Sequence, residues 1–164
     1  MIEVANNVIV FSYKREDLFN DVSLLSAYMV KNMVIKEGSA LDEYSITEDE
    51  KDVWGVCLKQ ALPDIYEAFL KISSGVVDAF FEEPVSNNSI ISITIDDNKA
   101  YNNNVLRLVE STLRDCINYG TLVEFYSVCL NDALYNVAKG KYASCMYQLN
   151  KRLFQLKRKK VSIC

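Results

Sequence analysis

The chain has 164 residues, 50% of them apolar and 24% charged; a domain of this length can bury about 70% of its extended-chain surface, so it needs no metal or disulfide staples. It contains no histidine, which excludes Ser-His and Cys-His catalysis, histidine-ligated zinc and the usual proton shuttle near neutral pH. The net charge of −4 hides a division: residues 1–132 hold all 22 acids against ten of the 18 Lys and Arg, a balance of −12, whereas residues 133–164 carry the other eight cations and no acid.

Ile2 to Phe11 alternates around Asn6-Asn7, which predicts a small β-hairpin or one strand with a ragged start. From Arg15 the period becomes helical. Leu18, Val22, Leu25, Met29 and Met33 fall on one face, and this first helix is expected to end before Gly38. Ser39 to Ile46 reads as a loop. Thr47-Glu48-Asp49-Glu50 has capping-box spacing and opens a second helix through Trp54, Cys57, Leu58 and Ala61. Pro63 predicts a kink or a fresh start there. A third helical segment is expected through Ile65, Phe69, Ile72, Val76 and Phe80, weakened at Gly75 and stopping near Pro84.

After a turn at Asn87-Asn88, Ile91, Ile93 and Ile95 alternate with Ser92 and Thr94, the pattern of a half-buried strand. A lone strand cannot satisfy its own backbone, so it should pair with the N-terminal hairpin. Asp96 to Asn104 reads as a polar connector, with Asn102-Asn103-Asn104 as a capping turn. Val105, Leu108, Val109, Thr112, Leu113 and Cys116 mark another helix, which either continues or breaks near Gly120 before Val123, Tyr126, Leu130, Leu134 and Val137. Beyond Lys139-Gly140, Tyr142, Met146, Leu149, Leu153 and Leu156 step by four, three, four and three. That seam must pack against something. With no linker and no repeat, the expectation is a mostly α fold. It has one domain over 1–156, a bundle of four to six helices with a minor antiparallel sheet made by the N-terminal hairpin and strand 89–95, followed by a basic tail over 157–164.

Charge gives the clearest candidate site. Lys151, Arg152, Lys157, Arg158, Lys159 and Lys160 crowd the C-terminal end without a single acid among them. An acidic body with a basic arm suits a polyanion or an acidic protein surface; equally, cations at a helix end complement its dipole and keep a tail solvated. The Lys157 to Lys160 run also matches a nuclear localisation signal, a pattern that short basic tracts meet by chance. Tyr119, Phe125, Tyr126, Tyr135, Tyr142, Tyr147 and Phe154 are dense nearby. Aromatics among cations can stack bases, although helical spacing makes most of these packing residues.

Asp96-Asp97 ends the isoleucine strand, where two carboxylates can hold a hard cation, but acidic turns after strands are commoner than sites. No metal and no cofactor is expected. Cys57, Cys116, Cys129 and Cys145 fall on apolar helix faces and read as core, with Cys164 exposed; their unrelated spacings fit a reducing compartment, not a zinc site. Asn87-Asn88-Ser89 fits a glycosylation acceptor by chance. No secretion signal and no run of 18 apolar residues is present, so neither export nor a membrane span is expected.

The isoleucine strand, Asp96-Asp97, the Asn-rich connector, Val105-Leu106-Arg107 and Leu122-Val123-Glu124-Phe125-Tyr126 together resemble the small helical head-tail connector, or neck-ring, proteins of tailed bacteriophages, notably the crAss-like phages of gut Bacteroidetes. The abundance of Asn, Ile, Lys and Tyr is similar to that of AT-rich phage genomes. The resemblance implies a non-enzymatic virion protein, assembled in the host cytoplasm. It would be a subunit of a ring, often twelvefold, that joins portal to tail around the DNA channel. Its implied partners are copies of itself, the portal and neighbouring neck or tail proteins, with DNA close by and no sequence-specific grip. The family supplies no catalytic residues. Two other readings stand beside it: a nucleic-acid-binding or regulatory helical protein using the basic arm, and a small carboxylate-based enzyme.

Overall fold

A computed structural model describes residues 2–5, 8–37, 44–71, 77–81, 90–96 and 103–157. The fold is mostly helical. Strands β1 (Ile2–Ala5) and β2 (Val8–Lys14) lead into helix α1 (Arg15–Glu37). A 3₁₀ turn (Glu48–Glu50) leads into α2 (Lys51–Leu70), followed by β3 (Val77–Phe81), β4 (Ile90–Asp96), α3 (Asn103–Val128) and α4 (Asp132–Lys157).

The predicted hairpin forms, with Ala5 opposite Val8 and Ile2 opposite Phe11. The isoleucine strand joins it as expected: β4 runs antiparallel to β2, from Val8 opposite Asp96 to Lys14 opposite Ile90. The pairing satisfies backbone groups that neither strand could satisfy alone. The order β1-β2-β4-β3 includes one strand that the sequence did not announce. Residues 77–81 pair with β4 (Val77 opposite Ile95, Phe81 opposite Ile91), so the helix expected through Phe80 is corrected: α2 ends at Leu70 and the chain returns to the sheet edge. The run Val76 to Phe81 is too short and too apolar for periodicity to tell helix from strand, and pairing along the open edge of β4 decides the outcome.

Pro63 produces neither a break nor a new start. It is exposed and α2 runs through it, with Ala61, Leu62 and Ile65 buried around it. Packing on α3 outweighs the one lost backbone bond. Glycines fail to break helices as well: α3 is continuous through Gly120 and α4 through Gly140. The break comes at Cys129 to Asn131. There the amide of Asn131 donates to the Tyr126 carbonyl and that of Leu130 to the Ser127 carbonyl, closing α3 with Leu130 at a φ of 54°. This is a Schellman end with leucine where glycine is usual. Asn131 also opens α4, because its side-chain oxygen accepts from the Leu134 amide at 3.0 Å.

The core lies between the sheet and the helices. Ile9, Phe11 and Tyr13 alternate inward from β2, and the Phe11 ring meets Phe69 of α2 at 6.0 Å. Leu18, Val22 and Met29 of α1 are buried as their spacing predicts, with Leu25 and Met33 packed alongside. Trp54 is fully buried, in edge contact with Phe19 at 5.2 Å and under the Arg15 guanidinium at 5.1 Å. Of the α4 seam, Leu149, Leu153 and Leu156 are buried and Tyr142 and Met146 lean on the core. The seam is therefore filled within the chain, chiefly against α3.

Several sequence features lie outside the described residues: the Asn6-Asn7 turn, Ser39 to Glu43, Ile72 to Val76, Pro84, Asn87 to Ser89, Asp97 to Asn102 and the tail from Arg158.

Candidate interaction surfaces

Four of the eight C-terminal cations are placed with their side chains on the surface of α4. Lys139, Lys141 and Lys151 are exposed, whereas Arg152 is half-buried and Lys157 is the last helical residue. Arg152 is not simply part of a solvated arm: its Nη1 donates to the Leu108 carbonyl at 2.7 Å and ties α4 to α3. Lys139 lies over the Tyr135 ring at 5.2 Å. The structure therefore places Lys151 on an exposed helix face, uses Arg152 for packing, and leaves Arg158, Lys159 and Lys160 outside the described residues.

The aromatics separate into two groups. Phe125 and Tyr126 are buried with their rings in edge contact at 5.6 Å, and Tyr119, Tyr135 and Tyr142 pack partly against the core. Tyr147 and Phe154 are exposed, and with Lys151 they recur at i, i+4 and i+7 along one outward stripe of α4.

A polar cleft of about 520 Å³ lies where β2 and α1 meet α3, lined by Tyr13, Lys14, Asp17, Glu110, Arg114 and Asp115 among others. Its parts largely satisfy one another. The Tyr13 hydroxyl donates to the Glu110 carbonyl at 2.9 Å, and burial holds its proton on far above the ordinary phenol range. Arg114 Nε donates to Asp21 at 2.5 Å, an oxygen that also receives Asn118 Nδ2 at 3.3 Å, and the Asp21 hydrogen bond raises the guanidinium further. Burial raises the Asp115 carboxyl. The Arg114–Asp21 pair ties α3 to α1.

A second concavity has a different character. Leu25, Tyr28, Met29 and Met33 of α1, Tyr119 of α3, and Leu134 and Val137 of α4 line an apolar groove of about 380 Å³ whose charged member is Lys141. Tyr28 is 67% exposed and Val137 45% exposed. Leu24 and Lys31, each within a turn of Tyr28, are exposed too. The sequence hid this groove because Leu25, Met29 and Met33 also satisfy the spacing of an ordinary buried face; only the concavity left where α1, α3 and α4 meet shows it.

The cysteines behave as small hydrophobes. Cys57 and Cys116 are buried, Cys129 and Cys145 half-buried, and all four are free thiols. Burial pushes the Cys57 thiol up to about 11 and raises the other three as well. Among the described residues no three His, Cys, Asp or Glu side chains cluster as a metal site, and no helix is long and apolar enough to cross a membrane. In comparison with known proteins, no family model, no curated protein and no solved structure matches the chain.

Proposed function

We propose that the chain is a non-enzymatic structural subunit of a virion, assembling into a head-tail connector ring that joins portal to tail around the DNA channel. The open apolar groove between α1 and α4 carries this reading, because a bundle that has filled its own seam yet leaves Tyr28, Val137 and Leu24 in solvent offers them to another protein. The charge division supports it: an acidic front and a basic C-terminal helix favour contacts between unlike surfaces, which close into rings. Purified protein, alone or with the portal, should form rings by electron microscopy or mass photometry. A stable monomer that ignores the portal overturns the proposal.

The Tyr147-Lys151-Phe154 stripe favours a second reading, binding to single-stranded nucleic acid. That reading requires DNA affinity that falls steeply with salt and is lost on deletion of residues 157–164. Absent or salt-insensitive binding eliminates it.

A further inference from the structure

Resting on the ring reading, we infer that the groove between α1 and α4 receives the outer face of α2 from the next copy of the same chain. The face of α2 opposite its core presents Val53, Val56, Gln60, Pro63, Glu67 and Leu70, all exposed and spaced three, four, three, four and three. That is a second seam, and unlike the α4 seam it is not consumed inside the bundle. Its N-terminal end is the part that suits the groove. Val53 and Val56 lie one turn apart, beside exposed Glu48, Asp49 and Asp52. Residues 48–60 hold four acids against Lys51 and Lys59, a balance of −2.

The groove has the opposite character. Among the described residues its lining contains no acid, Lys141 stands at its α4 wall, and Lys31 follows Tyr28 by three residues on α1. Two valines on one turn are of a size to enter a volume of about 380 Å³ while the flanking carboxylates meet the two lysines. Groove and seam are built on different rigid helices of one bundle, so a copy cannot fill its own groove with its own α2. A contact between two unlike patches of the same chain is heterologous, and it closes into a ring when the rotation per subunit allows.

The test uses two full-length variants, Val137→Glu to block the groove and Val56→Lys to spoil the seam, each checked for native helicity by circular dichroism. Each alone should be monomeric where the wild type forms rings. Their equimolar mixture should stop at dimers, because one intact seam then faces one intact groove and neither end can propagate. Lys141→Glu should weaken assembly about tenfold, and adding Asp52→Lys in the same chain should restore it. If the wild type stays monomeric even with the portal, the ring reading fails and takes this contact with it. If wild-type rings form and both variants still form them, or the mixture fails to pair, the ring reading stands and the groove-to-α2 contact is wrong.

Discussion

Ser23 and Ser26 show how much a neutral-looking residue can decide. Both lie mid-helix in α1, where serine has no helical advantage. Ser26 is fully buried; its hydroxyl donates to the Ser23 carbonyl at 2.8 Å and accepts the Ile46 amide at 2.9 Å, while Ser23 donates to the Ile46 carbonyl at 2.7 Å. The two hydroxyls hold buried Ile46 on α1 just before the capping box, in which the Thr47 amide donates to Glu50 at 2.8 Å. Ser26→Ala leaves the buried Ile46 amide unpaired and should cost about 1–3 kcal/mol, read as a lower urea midpoint. Leu130 is the opposite case, a side chain 88% exposed on a left-handed backbone. Leu130→Gly removes the Cβ penalty and should raise stability by about 0.5–1 kcal/mol, whereas Asn131→Ala, which strips the α4 cap, should lower it by about 1 kcal/mol. Paired thermal melts give both signs.

At the scale of elements, the glycines separate propensity from packing. A Cβ at Gly140 would meet nothing within 4 Å, so Gly140→Ala should stabilise α4 by up to about 1 kcal/mol through helix propensity alone. A Cβ at Gly120 would lie 3.1 Å from both the Ala61 Cβ and the Tyr142 ring, at the point where α2, α3 and α4 converge. Gly120→Ala should therefore gain the same propensity and lose more by forcing three helices apart, for a net loss of about 1 kcal/mol or more. Denaturant titration of the two variants should show midpoints moving in opposite directions. Gly120 stood in the sequence as a possible break, because the sequence records the residue type but not what stands opposite it. The actual break at 129–131 carries no glycine or proline; its signal lay in Asn131, a helix cap that also completes the preceding turn.

For the whole molecule, buried acids of high pKa set an alkaline limit. Cys57 rises from 9.0 to about 11, and Tyr13, Tyr126 and Tyr142 also move upward from 10.0, burial being the first cause in each. The neutral forms are the ones the fold stabilises, so this contribution is complete below about pH 9, where the unfolded groups are also neutral. It is lost as pH climbs from the unfolded towards the folded values. In reducing buffer the melting temperature should show no loss from these groups up to about pH 9 and then fall, and Tyr126→Phe should flatten the decline. Retention of full stability at about pH 11 would contradict the burial of these groups.

Composition, periodicity and charge, all local or additive along the chain, were enough to place α1, the start of α2, the hairpin, the isoleucine strand and the apolar seam of α4. The same quantities located the excess of cations at the C-terminal end. Strand β3, the uninterrupted course of α2 past Pro63, the turn at 129–131 and the open groove were settled only in three dimensions. Each depends on what distant residues place alongside it: the free edge of β4, the floor of α3 under α2, and the concavity between α1 and α4. Arg152 makes the same point at one residue, a cation that belongs to a basic run in sequence and bonds the Leu108 carbonyl in the fold. Side-chain spacing fixes which face of an element is apolar; packing geometry decides whether that face is covered.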